Sequence, residues 1–200
     1  FFLCSLLFAA LAICAPADAS VSIAVSFDAL LHDSTSASVA TPTDARAVWE
    51  DGRIVTFTHV HVDRAIAGDL KTGDETWVAS LGGIVGTVGQ VVDGEPQLHV
   101  GVPYLLFLKP DASATPGTRI VTARAQGQFH LRAASSTSGS AVVNVIRNPG
   151  AGEILAPRPA PGALTNGSTV KTAVDAIADR AIDDVAKDVA ASWSKAHAVP

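Results

Sequence analysis

Trp49-Glu-Asp-Gly-Arg-Ile-Val-Thr-Phe-Thr-His-Val-His-Val-Asp63 is the stretch that decides the fold. Asp51-Gly52 is the pair favoured by a two-residue type I′ turn, because both central residues need φ > 0 and Asp and Gly adopt it at least cost. After the turn, apolar and polar residues alternate with the period of two that marks a strand. The stretch therefore predicts a hairpin with the run from Ser38 to Trp49, and the turn sets its register. Glu50 faces Arg53, Trp49 faces Ile54, Arg46 faces Phe57 and Asp44 faces His59. One face then carries Thr41, Thr43, Ala45, Ala47 and Trp49 against Ile54, Thr56, Thr58, Val60 and Val62, and is the expected core face. The other carries Asp44, Arg46, Val48 and Glu50 against Arg53, Val55, Phe57 and His59, and is expected to be exposed. A slip of one residue would invert both faces. Pro42 has no ladder donor, so it predicts an edge or a bulge.

Working outward, Ser26 caps a short helix whose stripe is Phe27, Leu30 and Leu31. Downstream, Thr76 to Leu81 reads as a third strand, followed by a glycine-rich run and a minor hairpin expected around Asp93-Gly94. Tyr104-Leu-Leu-Phe-Leu108 is continuously apolar, as suits a strand buried on both faces. Arg119 to Ala125 predicts another strand, with Gln126-Gly127-Gln128 a bulge or corner before Phe129-His-Leu131. Ala141 to Ile146 predicts a last one. Ala156-Pro-Arg-Pro-Ala-Pro-Gly162 marks an extended linker, assigned to residues 151–167. From Ser168 or Thr169 a long helix is expected to residue 196. Val174, Ile177, Val185, Val189 and Trp193 lie on one side of it and a row of aspartates on the other. Five or six strands over residues 20–150 suit a mainly β fold, a small OB-like barrel, with a short N-terminal helix and a C-terminal amphipathic helix. That helix needs a partner for its stripe: its own barrel first, another protein second.

The chain contains no Met, and residues 1–14 read as the apolar core of a secretory signal, too short for a span of roughly 20 residues. Ala17 and Ala19 place cleavage after residue 19, so the mature chain is expected to start at Ser20 and to be secreted or periplasmic. Both cysteines, Cys4 and Cys14, would leave with the signal, taking with them any disulfide or thiol chemistry. Ile13 before Cys14 is a poor fit to a lipoprotein box. A net charge of −5 and a pI of about 5.6 give no electrostatic reason to bind nucleic acid or an anionic membrane.

Several motifs together resemble a family of exported bacterial proteins of unknown function. They are Trp49-x-x-Gly52-Arg-Ile-Val-Thr, Leu81-Gly-Gly-x-Val-Gly-x-x-Gly-Gln90, Tyr104-Leu-Leu-Phe-Leu108 and Gln126-Gly-Gln-Phe129. The likeness spans Ser26 to Leu131 and implies export and a β-rich domain, with no assigned activity. The strand order also resembles netrin-like OB barrels, some of which inhibit metalloproteases, although those domains rely on cysteines that the mature chain lacks.

Two sets of residues are candidates for chemistry. His59 and His61, at i and i+2 on one strand, have a workable spacing for two metal ligands, but a zinc site needs a third. The bland alternative pairs His59 with Asp44. Gly82, Gly83, Gly86, Gly89 and Gln90 offer a binding loop, although neither nucleotide-binding glycine pattern is matched. No hydrolase elbow or zinc-protease motif is present, and no cofactor is expected. Trp49 and Trp77 are expected to be core. The sequence thus points to an exported, non-enzymatic binding or interaction module, using the loop, the exposed hairpin face or the C-terminal helix toward a protein partner. The alternative is an inhibitor or accessory of an exported protease, a zinc-blocking version of which would use the new amino terminus at Ser20, or a His-based metal-binding protein.

Overall fold

The structure is a computed structural model that describes residues 21–112, 117–134, 142–155 and 171–198. The signal segment, Ser20 and the proline-rich run lie outside those residues. The chain is mainly β, with one large sheet and a C-terminal helix. Twelve strands are described: β1 Val21–Ile23, β2 Ser36–Glu50, β3 Arg53–Gly68, β4 Glu75–Leu81, β5 Gly83–Val85, β6 Val88–Gln90, β7 Tyr104–Pro110, β8 Thr118–Val121, β9 Gln128–Ala134, β10 Val142–Arg147, β11 Glu153–Leu155 and β12 Arg180–Ala181. The helices are α1 Phe27–His32, α2 Ala173–Ile177 and α3 Ile182–Ala196.

Eight strands form the large sheet in the order β12-β10-β9-β7-β2-β3-β4-β8, and β7 bonds β8 as well. Its pairings are antiparallel except β4 with β8. The central hairpin has the register the turn dictates: Asp51 and Gly52 take φ of 49° and 78°, and Glu50, Trp49, Arg46 and Asp44 face Arg53, Ile54, Phe57 and His59.

Beyond Asp44 the pairing shifts. Thr43 is the extra residue of a bulge, so Pro42 and Ala40 face Val60 and Val62. A bulge flips side-chain alternation for everything past it. The core face is therefore built from Ala40 with Val60 and Val62, while Thr43 and Ala45 are exposed. Trp49 is also corrected: it is 53% exposed, because β7 pairs with β2 only as far as Ala40 and the hairpin end projects past it.

Two apolar clusters lie on opposite sides of the sheet. One joins Ala40, Val60, Val62, Val78, Tyr104, Leu106, Leu108 and Val121. On the other side Ala37, Leu105, Phe107, Phe129 and Val145 pack under all three helices, against Leu30 and Leu31 of α1, Ile177 of α2 and Val185 and Val189 of α3. Tyr104–Leu108 is thus buried on both faces, as its unbroken apolar run predicts. The Ser26 hydroxyl caps α1 by accepting the Ala29 N–H at 3.1 Å.

The expected continuous C-terminal helix is interrupted. Thr172 caps α2, whose end is set at Asp179, with φ of 60° and its N–H bonded to the Val145 carbonyl. Arg180 and Ala181 then pair with β10 before α3 begins. A second difference concerns residues 153–155, assigned to the linker from sequence, which form β11 in parallel with β1. A third concerns residues 93 and 94: they form a turn without strands, and the minor hairpin is β5–β6 instead. The strand expected to run to Ala125 stops at Val121, and a 3-10 turn at Arg124–Gly127 makes the corner.

Tyr104 is the chain's one tyrosine and is fully buried. Burial holds its phenol above the ordinary 10.0, against a smaller lowering influence from the His99 N–H that donates to its hydroxyl at 3.2 Å. The unfolded chain releases this proton first as pH rises. The stability tied to the group is therefore whole below pH 10 and is lost as pH climbs from there through the folded value. Spectrophotometric titration of tyrosinate in the folded protein is expected to show a midpoint above 10.0, and Tyr104→Phe to flatten the alkaline loss of stability. A midpoint at the ordinary value would mean the hydroxyl reaches solvent.

Candidate functional site

The glycine-rich run is occupied with holding the hairpin. A Cβ on Gly83 would sit 2.3 Å from Thr56 Oγ1 and 3.1 Å from the Ala47 Cβ, so β5 lies directly on the β2–β3 ribbon. Gly82 donates to the Ile54 carbonyl at 2.8 Å and accepts from the Thr56 hydroxyl at 2.6 Å. Gln90 Oε1 accepts the Ile54 N–H at 2.7 Å, satisfying an amide that β4 does not reach. Gly86, at φ of 61°, makes the β5–β6 turn, and Gly89 faces Ile84 across it. Gly82, Gly83 and Gln90 are packed against the hairpin, Gly86 and Gly89 lie exposed at the tip, and Gln90 spends its acceptor on the backbone.

His59 and His61 both flank Glu75, each with a ring nitrogen 3.9 Å from one of its carboxylate oxygens. Asp44 faces His59 in the hairpin register, but the His59 Nδ1 hydrogen bond, at 3.0 Å, goes to the hydroxyl of the bulge residue Thr43. His99 and His130 do not join them: the first lies in the loop before β7 and the second stacks edge-on against Tyr104. Among the described residues no three His, Cys, Asp or Glu side chains are placed to hold a metal ion.

What the sheet does assemble is a groove on the side that carries the helices elsewhere. Across β3, β4 and β8 the rows Val55–Leu81, Phe57–Ala79–Ile120 and His59–Trp77–Thr118 point to that side. Over β7, β9 and β10 the same side is covered by α1, α2 and α3. Helix α3 reaches only the far end of β3, where Ile66 and Ala67 join its cluster and Arg64 meets Asp183. Residues 55–59 of β3, with β4 and β8, are absent from the helix-covered cluster. The result is a cleft of ≈ 330 Å³ with Val55, Phe57, Ala79, Leu81 and Ile120 in its floor and Arg53 and the Arg124–Glu95 pair at its edge. Phe57 also lines a second, neighbouring hollow with Arg46, His59, Glu75 and Trp77. The Arg46 guanidinium lies 5.0 Å from the Trp77 ring centre and 5.9 Å from that of Phe57, and the His59 ring is 4.7 Å from Trp77. Trp77, expected in the core, is instead a half-buried wall of this hollow.

Glu95 fixes one rim. Its carboxylate accepts the Leu81 N–H at 3.0 Å and the Arg124 Nε at 2.5 Å, joining the end of β4 to the corner before β9. The sequence contained a signal for this groove: Val48, Val55 and Phe57 are apolar on the hairpin face assigned to solvent, and a strand apolar on both sides is covered on both or binds something. Ile120 carried no such signal, because it reaches the site through the non-local pairing of β8 with β4, and neither did Arg124, which reaches it from the 3-10 turn through Glu95. No family model, curated protein or solved structure matches the chain.

Proposed function

We propose that the chain is an exported, non-enzymatic binding module of the resembling family, and that its ligand site is the groove over β3, β4 and β8. The proposal includes the barrel: β2, β3, β4, β8 and β7 close into a five-stranded unit of the OB kind. It is supported by the pairing of β7 with both β2 and β8, by the parallel β4–β8 pair and by the cluster that those five strands surround. In OB barrels the outer face of the second and third strands binds ligands, and here those strands are β3 and β4. The observation that carries the reading is the uncovered apolar floor beside a helix-covered half of the same face. A ligand cleft is concave and mostly apolar with a few polar groups at its edge, and this one lies at the small end of the usual range of roughly 300–1,000 Å³. Oligonucleotides are disfavoured as ligands by the chain's negative charge.

The test is a panel of small apolar and amphiphilic compounds read by backbone amide shifts in the labelled protein. Shifts are expected to cluster on residues 55–59, 77–81 and 118–121 and to vanish in Ile120→Lys, which places a charged chain across the floor. Clustering on residues 82–90 or on α3 would move the site elsewhere. The protease-inhibitor reading rests on Ser20, outside the described residues, and no described contact favours it.

A further inference from the structure

We infer that the groove takes a small amphiphilic carboxylate, its apolar body on Phe57 and its neighbours and its charged head on the guanidinium of Arg46. This rests on the groove being the ligand site and adds the chemical class. Arg64, Arg119, Arg124 and Arg180 each reach a carboxylate oxygen within the fold. Arg46 does not: among the described residues its recorded partners are the rings of Phe57 and Trp77. Aromatic contact with a guanidinium uses its flat face and leaves free the N–H edges, which bind a planar anion through two parallel bonds. The rings also restrict the side chain before any ligand arrives, which lowers the ordering cost of binding.

Two of the acids that line the hollows are already engaged. Glu75 stands between His59 and His61, and Glu95 is paired with Arg124. Glu50, Asp51 and Asp111 line the apolar cleft, not the hollow that holds Arg46, where Glu75 is the acid present. The free positive head at Arg46 and the apolar floor of Val55, Ala79, Leu81 and Ile120 meet at Phe57, the residue common to both hollows. A molecule spanning them needs one anionic end and an apolar remainder. The volume of the apolar cleft limits that remainder to a small molecule rather than a folded partner.

Isothermal titration of the full chain with decanoate and with decan-1-ol, below their aggregation limits, separates head from body. Decanoate is expected to bind saturably, and decanol roughly tenfold or more weakly, the range for a hydrogen bond to a charged group. Arg46→Gln is expected to bring decanoate down to the decanol level without altering decanol binding. Arg46→Lys, which keeps charge but loses the planar fork, is expected to fall between. Arg132→Gln, on β9, is expected to change nothing. Thermal melts of each variant confirm folding, which an exposed position such as 46 tolerates. Equal binding of the two probes, unchanged in Arg46→Gln, overturns the carboxylate inference and leaves the groove as ligand site standing. Saturable binding of neither probe overturns the inference too, and the amide-shift panel then decides whether the groove binds anything.

Discussion

Gly127→Ala is expected to lower the stability of the folded chain by about 3 kcal/mol or more, the upper end of the usual cost of forcing an extra methyl into a packed site. The reason is proximity rather than backbone conformation. A Cβ at Gly127 would lie 2.1 Å from the Thr122 carbonyl oxygen and 3.1 Å from Val121 Cγ1. Backbone must move to clear it, and both neighbours resist. The Gln126 amide accepts the Val25 N–H and donates to the Ile23 carbonyl, each at 3.0 Å, as a neighbouring strand would. Buried Gln128 does the same to Gln97, accepting its N–H at 3.1 Å and donating to its carbonyl at 2.7 Å, while also accepting from Asn148 Nδ2 at 2.8 Å. Shifting residue 127 therefore strains bonds that reach three separate segments. Gly86→Ala is the control: its φ is 61° but nothing lies within 4 Å of the added carbon, so the expected loss is about 1 kcal/mol. Urea unfolding of the two variants beside the wild type checks the difference. Equal midpoints would mean that residues 122 and 127 are further apart than described.

Gln126-Gly-Gln128 also shows where sequence reading stops. The motif was visible and its place at a corner was correct, but its purpose is to mimic strand pairing toward residues 23–25 and 97, distant in sequence. Gln90 is a parallel case: the sequence places it in a candidate binding loop but does not show that its Oε1 accepts the Ile54 N–H. Local rules did well where local physics decides. The Asp51-Gly52 turn set the hairpin register, Ser26 set the start of α1, and an unbroken apolar run marked β7. They failed in part at the bulge. Pro42 announced it, but nothing local showed that Thr43 is its extra residue or that the faces exchange beyond it. Alternation therefore placed Thr41 and Thr43 on the core face, where Ala40 and Pro42 are buried. Local rules failed again at residues 178–181, where a favourable helical stripe continues but the Val145 carbonyl captures the Asp179 N–H. The candidate site was half legible for the same reason: β3 displays its apolar residues in sequence, whereas β8 joins them only through a parallel pairing that no adjacent residue announces.

Val189→Asp is expected to cost about 4 kcal/mol or more and to leave α3 detached. Val189 is fully buried among Leu30, Leu31, Phe107 and Val185 at the seam between α3, α1 and the sheet. A carboxylate there has no partner in that cluster. It must be buried charged, take up a proton, or pull the helix into water, and each route loses several kcal/mol. The ion pair of Arg64 with Asp183, 2.6 Å apart and largely exposed, cannot hold the helix in place of the stripe, since exposed pairs contribute at most about 1 kcal/mol. Val91→Asp, on a side chain that is 82% exposed, is expected to stay within about 0.5 kcal/mol of wild type. Chemical unfolding gives the two values, and amide hydrogen exchange over residues 182–196 tells whether the helix alone is released or the whole chain with it. If Asp at 189 left the unfolding midpoint unchanged, α3 would not be packed on β7, β9 and β10. Part of the covered half of the sheet would then be open as the groove is, with only α1 and α2 left over it, and the asymmetry that singles out β3, β4 and β8 would shrink.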